Sequence, residues 1–425
     1  MPRSRIVNSC RVASLMQRKL PVAVGLACLM IPNGACPISA GSLSGSAATA
    51  NTALPTIQEL MPEGVGFSDV VALSGTTMVA GAPMDRHDSG RAYVFGQVAG
   101  RWREVAVLRG SDTVEGDRFG SSVAVYGNTI VVGAEGKAKH SGGAYVFDRM
   151  TTGWQQIAEL NDPGRNAGDG FGWSVALSGS VLAVGAIGFG PDVGRAYAFS
   201  KSRGSWHETA ELEVPGTVAY DEFGGSVAVS GDTIVVGSQQ HGLSGNAYVF
   251  TKTAKGWEQP VDLFEPDPTG MDWFGCSVAV SGPVIAVGAD GHRGGGRVYM
   301  FTLRSARWAL ATELKASGSA PDGWFGDSVS LSGETVAVGA ENRASGAGRV
   351  YVFAATDHGF RQLAELEAGD PTANTNFGQS VSVSRNNIAV GLGDIYDAGW
   401  ARHEYVFTRS SRGWHQLAML RASTA

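Results

Sequence analysis

A motif that begins with Phe-Gly or a close variant recurs along the chain, and its spacing constrains the fold more than any other feature. Its Phe occurs seven times, at intervals of 51 or 52 residues: Phe67, Phe119, Phe171, Phe223, Phe274, Phe325 and Phe377. A second signature keeps the same spacing, with its Tyr at Tyr93, Tyr145, Tyr197, Tyr248, Tyr299, Tyr351 and Tyr405. A fixed period near 50 residues indicates an array of equal structural units.

The pattern of each unit predicts four short strands. In the second unit, "SSVAV" alternates small and branched residues, "TIVVGA" is an apolar run, and "GAYVF" and "WQQIAEL" follow. The turn at Gly127-Asn128 is short enough for a tight hairpin. The 60 glycines and the low charged fraction of 17% also favour strands and turns. The sequence therefore predicts an all-β fold, a seven-bladed β-propeller of four-stranded antiparallel blades over residues 57–425.

The N-terminal segment differs from the repeats. Residues 1–50 contain five basic residues and no acidic residue, whereas the remaining chain has a net charge of −11. The stretch from Met16 to Ala40 has a basic start, an apolar middle and a small-residue end, as in a secretory signal. We predict a signal peptide over 1–40, with Met16 as an alternative start, and a linker over 41–56.

The leader and the cysteines together predict an exported protein. The apolar run from Leu20 to Pro32 is shorter than the roughly 20 residues of a membrane span, so we expect no transmembrane segment. A lipid anchor at Cys36 is disfavoured, because Asn33 occupies a position where lipoprotein signals usually have Leu. Cys276 is the one cysteine after the leader, so no internal disulfide is expected. We expect a secreted, periplasmic or cell-envelope location.

The repeat resembles a known family. Stretches such as "FSDVVALSGTTMVAGAP" and "FGSSVAVYGNTIVVGA" are similar to the FG-GAP repeat of integrin α-subunit propellers and of related secreted bacterial proteins. The resemblance implies a propeller scaffold over residues 57–425 and leaves the function open, because the motif residues belong to the scaffold. Integrin-type repeats often carry an Asp-rich calcium loop between the first two strands. Here the corresponding turns, such as "YGNT" and "SGSV", offer too few oxygens, so we predict no metal and no cofactor.

The closure of the ring has two possible solutions. "TIQEL" at Thr56–Leu60 resembles the outer strand "QIAEL" at Gln156–Leu160 and would be an eighth outer strand. It could replace "WHQLAML" in the last blade and so close the ring, or it could add an extra edge. The sequence leaves both arrangements open.

The candidate ligand-binding residues lie beside the Phe-Gly motif, where the repeats differ. The residue before Phe and the residue after Gly vary widely among the units, and we expect both positions at one mouth of the ring. Large aromatic surfaces and carboxylates there suit a protein or a glycan. The candidates are Trp173, Trp273, Trp324, Asp272, Asp322 and Asp327. The alternative is that each Trp fills a gap between blades. The Asp two residues before Phe, as in Asp117, is expected to accept hydrogen bonds from turn amides.

Charge separates by loop. The loops from outer to inner strands contain 14 acidic and 4 basic residues, in 109–118, 161–170, 213–222, 264–273, 315–324 and 367–376. The turns after "YVF" contain 10 basic and 2 acidic residues, in 96–101, 148–153, 200–205, 251–256, 302–307, 354–359 and 408–413. A propeller places these two sets on opposite faces. The sequence therefore predicts one acidic and one basic face, which would steer charged partners.

Motifs of known enzymes are missing from the sequence. The chain contains no His-Glu-x-x-His, no phosphate loop and no nucleophile turn. The histidines His87, His140, His241 and His292 fall in loops of different repeats, so we expect no ring of metal-binding imidazoles. We predict a non-catalytic, monomeric binding module for a protein or glycan at the acidic face, with no nucleic-acid partner. The alternatives are a propeller hydrolase or lyase with a loop-built site, and a cell-envelope structural protein.

Overall fold

A computed structural model describes residues 70–421, apart from 163, 165, 189–192, 318–322, 358, 370–374 and 394–402. Seven antiparallel sheets form in this part of the chain, one for each repeat. They stand as blades around a central channel lined by the innermost strands. The predicted seven-bladed β-propeller is confirmed. The predicted leader (1–40), the linker (41–56) and the strand at 56–60 lie outside the described residues.

Each blade is built from consecutive strands, numbered from the channel outward. Blade 1 comprises β1 Val71–Ser74, β2 Thr77–Ala82, β3 Arg91–Val98 and β4 Arg101–Leu108. Blade 2 comprises β5 Val123–Tyr126, β6 Thr129–Gly133, β7 Ala144–Met150 and β8 Gly153–Leu160. Blade 3 comprises β9 Phe171–Ser178, β10 Val181–Ala186, β11 Arg195–Ser202 and β12 Ser205–Leu212. Blade 4 comprises β13 Ser226–Ser230, β14 Thr233–Ser238, β15 Asn246–Thr253, β16 Gly256–Trp257 and β17 Val261–Leu263. Its outer strand is split into β16 and β17 beside Pro260, which has no backbone N–H to donate.

Blades 5 to 7 repeat the plan. Their strands are β18 Val278–Ser281, β19 Val284–Ala289, β20 Arg297–Arg304, β21 Arg307–Leu314; β22 Phe325–Ser332, β23 Thr335–Ala340, β24 Arg349–Thr356, β25 Gly359–Leu366; and β26 Ser380–Ser384, β27 Asn387–Gly391, β28 Glu404–Ser410, β29 Gly413–Leu420. Short helical turns lie between the second and third strands, at α1 Asp85–Asp88, α2 Lys137–His140, a 3-10 turn His292–Gly294 and α3 Arg343–Gly346.

The core lies between neighbouring blades. Phe119 packs with Val94 of blade 1 and with Tyr145 and Phe147 of blade 2, and its ring centroid is 5.4 Å from that of Tyr145. The middle strands therefore bury apolar side chains on both faces, as β6 does with Val131 and its neighbours. This explains the nearly continuous apolar runs of the second and third strands.

A glycine contact locks each blade to the next. A Cβ atom on Gly185 of β10 would lie 2.0 Å from the carbonyl oxygen of Gly224, which is the glycine of the next Phe-Gly motif. Ser174 donates a hydrogen bond of 2.8 Å to the same carbonyl oxygen. At five equivalent glycines, an added Cβ atom would lie 1.9 to 2.1 Å from a carbonyl oxygen of the next blade: Gly81, Gly133, Gly237, Gly288 and Gly339. The two glycines of the repeat are thus required by backbone contact between blades.

Blades 1 and 7 meet directly and close the ring. The backbone N–H groups of Val71, Leu73 and Gly75 donate to the hydroxyls of serines in β26, at 3.1, 2.9 and 2.9 Å. The outer strand of blade 7 is β29, which pairs with β28. The C-terminal strand therefore completes the last blade.

Candidate functional site

The mouth of the central channel is formed by the sequence-variable positions of the repeats. The residues that follow the Phe-Gly motif lie around this mouth: Ser121, Trp173, Gly225, Cys276, Asp327 and Gln379. Below them the wall is built from rows of Ser and Val, such as Ser174 and Val175 of β9. The cavity has a volume of about 220 Å³. The expectation of one mouth is confirmed for the position after Phe-Gly, whereas the described channel lining includes no residue that directly precedes Phe.

One turn geometry holds both variable positions in every described copy of the motif. The backbone N–H of the residue that follows Phe-Gly donates to the backbone carbonyl oxygen of the residue that precedes Phe, as from Asp327 to Trp324 at 3.2 Å. The motif glycine is at positive φ, 98° for Gly120, as the third position of a type II turn requires. The residue before Phe also has positive φ, 52° for Trp324. Because backbone conformation fixes the turn, the side chains at its two ends are free to differ.

The structure separates the three candidate tryptophans. Trp173 lines the channel with 5% of its surface exposed. Trp273 is 7% exposed and packs against Cys276, with its ring over the backbone of Gly291. Trp324 is partly exposed and occupies the equivalent position in the next blade. Trp324 thus offers the most accessible aromatic surface of the three.

The candidate carboxylates also differ in environment. Asp327 lines the channel and is buried. Asp272 is fully buried, and its carboxylate accepts hydrogen bonds from Thr269 and from the N–H of Gly270. Asp322 lies outside the described residues. Among those described, the channel lining includes Trp173 and Asp327 but not Trp273, Trp324 or Asp272.

The aspartates two residues before Phe hold the loops that lead into the channel. Asp117 accepts the N–H of Val114 at 2.9 Å, and Asp221 accepts the N–H of Val218 at 2.7 Å. Asp169 accepts the N–H of Asn166 at 2.9 Å. The prediction that these aspartates accept turn amides is confirmed.

Polar side chains that were not among the candidates predicted from the sequence lie in the variable turns and beside them. Glu222, before Phe223, accepts hydrogen bonds from Gln239 and Gln240. Arg118, before Phe119, forms an ion pair with Glu135 at 3.4 Å. Burial raises the pKa of both Glu135 and Glu222. The sequence signal was the residue after Gly-Ala or Gly-Ser, which varies among Glu135, Ile187, Gln239, Asp290 and Glu341.

A cluster of three titratable side chains was also missed. Glu265, Asp272 and His292 are buried in one blade, and one ligand atom of each lies within 4.8 Å of the others. Burial raises the pKa of Glu265 to about 8 and lowers that of His292. The histidines of the sequence fall in different repeats and predicted no shared site, whereas this cluster joins one His to two carboxylates from loops at a single blade.

Strand connectivity places the two charged loop sets on opposite faces. Within each described blade, the turns between strands 1 and 2 and between strands 3 and 4 share one end, because the strands are antiparallel. The loop from outer to inner strand lies at the other end, where the backbone N–H of Arg118 donates to the backbone carbonyl oxygen of Asp88, in a loop between strands 2 and 3. In the described residues, the acidic loops therefore lie at the channel mouth, on what we call the acidic face, and the basic turns lie on the opposite, basic face.

The comparisons agree with this architecture. The family model of the FG-GAP repeat matches the chain in seven segments, at residues 63–95, 102–147, 154–199, 206–250, 257–301, 308–353 and 360–407. No curated protein matches the chain. In the described part of the chain, no helix combines the length and apolar character needed to cross a membrane. With seven matches that cover most of its length, this chain belongs to the FG-GAP repeat family and forms a seven-bladed β-propeller of that kind.

Proposed function

We propose that this propeller is a non-catalytic interaction module whose ligand docks on the acidic face, over the mouth of the channel. The observation that carries the proposal is the arrangement of the variable residues. The Phe-Gly turn keeps one backbone geometry in all described copies, while the side chains at its two ends range from Gly to Trp and Arg. The side chains after Phe-Gly line one mouth, where a ligand can contact several blades at once, and those before Phe lie at the other end of the same turns.

The chemistry of the channel supports binding over catalysis. Among the described lining residues, Asp327 is the one carboxylate, and the lining includes no His, Lys or Arg. Acid–base catalysis uses a proton donor and a proton acceptor at the reacting atoms. The hydroxyl-rich wall offers hydrogen bonds, which suit recognition.

The charge of the face favours a protein ligand that presents Lys or Arg. The loops from outer to inner strands contain 14 acidic residues against 4 basic ones. A face with this excess attracts cationic segments over a distance set by the salt concentration. Trp324 adds a partly exposed aromatic ring, over which a cationic side chain can stack. The basic leader of the sequence supports action outside the cytoplasm.

The test is a screen followed by one matched pair of variants. The purified chain without its leader is applied to a peptide array that includes Lys- and Arg-rich sequences, and to a glycan array. The tightest hit is then titrated at low and high salt. Trp324→Ala should weaken binding by about 1–3 kcal/mol if Trp324 is a hot spot.

Trp308→Ala is the control, because Trp308 lies on outer strand β21 and packs against the core of blade 5. It should melt earlier and bind normally. If the tightest hit is a neutral glycan whose affinity does not change with salt, the ligand is a sugar and not a cationic protein. Unchanged binding by Trp324→Ala would place the site away from this mouth.

A further inference from the structure

The buried cluster of blade 5 joins two loops on the acidic face. Glu265 and Asp272 come from the loop between β17 and β18, and His292 comes from the loop between β19 and β20. Their side chains are 1%, 0% and 3% exposed. The Nδ1 atom of His292 is 2.5 Å from Oε1 of Glu265 and 3.5 Å from Oδ1 of Asp272. Two carboxylates and one imidazole thus point at a single small volume.

Part of the bonding capacity of these groups is unused. Tyr299 donates its hydroxyl to Oε1 of Glu265 at 2.6 Å, and Asp272 is held by Thr269 and Gly270. Oε2 of Glu265 is buried and has no hydrogen-bond partner, and Nδ1 of His292 lies close to Oε1 of Glu265 without a well-directed hydrogen bond. Buried polar atoms without a partner are costly, so each such atom calls for a specific explanation.

Blade 2 shows what occupies the equivalent position in another repeat. Lys137 follows Ala134 by three residues, just as His292 follows Ala289. Its ammonium is 2.7 Å from a carboxylate oxygen of Asp112, 2.7 Å from one of Glu159 and 2.6 Å from the hydroxyl of Tyr145. Tyr145 is the counterpart of Tyr299. Blade 2 therefore places a cation between carboxylates and this tyrosine.

Blade 3 also supplies a cation to a carboxylate of this position. Arg195 lies 3.5 Å from Asp169, which precedes its Phe by two residues as Asp272 does. In blade 5 the nearby arginines are engaged elsewhere, Arg293 with Asp267 and Arg297 with Glu313. Among the described residues, no Lys or Arg forms an ion pair with Glu265 or Asp272. In blade 5 the imidazole of His292 thus takes the place of the Lys ammonium of blade 2, beside two carboxylates.

We propose that Glu265, Asp272 and His292 bind one divalent transition-metal ion, with Zn²⁺ as the best match. Zinc takes His nitrogen and Asp or Glu oxygen as ligands and prefers four-coordinate sites. Calcium requires six to eight oxygens, and magnesium usually keeps several waters. Three protein ligands in a buried pocket fit neither ion, and a water can complete the zinc shell. The ion would fasten the two loops of blade 5 next to Trp273.

The proposal is tested on untagged protein treated with chelator and dialysed. Calorimetric titration with ZnCl₂ should show one ion per chain and a raised melting temperature, with much weaker effects from CaCl₂ or MgCl₂. Co²⁺ should give a visible spectrum of nitrogen and oxygen ligation without thiolate charge-transfer absorption, which excludes Cys276 as the ligand. No zinc binding, or stronger binding of calcium, would overturn the assignment.

Variants locate the ion. Glu265→Gln and His292→Ala should each weaken zinc binding on the order of 100-fold or more, beyond the loss expected for an outer-shell partner. His292→Lys gives blade 5 the lysine that blade 2 has at this position, so this variant should fold stably and should not bind zinc. His241→Ala is the control, because blade 4 pairs His241 with Asp221 but has Val214 at the position of Glu265. Zinc binding unchanged by Glu265→Gln and His292→Lys would place the ion elsewhere and refute the proposal.

Discussion

The contact between blades predicts a large cost for one added methyl group in β10. In Gly185→Ala the new Cβ would lie 2.0 Å from the carbonyl oxygen of Gly224 and 2.3 Å from Oγ of Ser174. The backbone of the next blade must move away, because a carbonyl oxygen cannot rotate aside as a flexible side chain can. Overpacking of this kind costs about 1–3 kcal/mol. The displaced hydrogen bond between Ser174 and Gly224 adds about 1 kcal/mol.

Two further variants separate these contributions. Ser174→Ala removes the hydrogen bond alone and should cost about 1 kcal/mol. Gly179→Ala places a methyl group where no atom lies within 4 Å, at φ of 60°, so it should cost only about 1–2 kcal/mol of backbone strain. The double variant Gly185→Ala with Ser174→Ala should cost less than the sum of its parts, because the removed hydroxyl makes room for the methyl group.

The assay is urea unfolding followed by tryptophan fluorescence and circular dichroism. The expected order of destabilisation is Gly185→Ala first, with Ser174→Ala and Gly179→Ala clearly smaller. A Gly185→Ala protein as stable as Gly179→Ala would show that the blades do not depend on this close backbone approach.

Three other predictions concern the stability of the fold. Arg385 has φ of 55° in a turn where the other blades have Gly, so Arg385→Gly should stabilise the fold by about 1 kcal/mol, measured by urea unfolding. Burial and the neighbouring Asp162 raise the pKa of Asp169 from 3.8 to about 6. The stabilising contribution of its neutral form is therefore complete below about pH 4 and is lost as pH rises through 6. Unfolding measured across this range should show the loss, and Asp169→Asn should flatten it; an unchanged pH profile in the variant would exclude Asp169 as its source. Millimolar calcium should leave the melting temperature unchanged, because the turns between the first two strands are two-residue hairpins; a rise of several degrees would reveal a calcium site.

The sequence predicted the scaffold well, because every scaffold residue recurs at the repeat period. The Phe-Gly spacing predicted seven blades, and the Asp two residues before Phe was correctly interpreted as a turn acceptor. The reason why the repeat has a Gly before Ala could not be predicted from the sequence. It lies in a contact between Gly185 and Gly224 of neighbouring blades, which no pattern within one repeat reveals.

The candidate site was predicted in position but not in detail. Variation beside Phe-Gly indicated the mouth of the channel, yet the exposure of each Trp depends on its local packing. Trp273 is covered by Cys276 and Gly291, whereas Trp324 keeps a partly exposed ring. The cluster of Glu265, Asp272 and His292 escaped prediction because its members are distributed over two loops separated by β18 and β19.

A ligand that docks on the acidic face over the channel mouth must cover the loops around that mouth. Hydrogen–deuterium exchange of the complex with the tightest array hit measures this coverage, because every loop is observed in one experiment. We expect protection in loops such as 213–222 and 264–273 and at the start of the innermost strands. Protection confined to the turns of the basic face, such as 200–205 and 251–256, would contradict it.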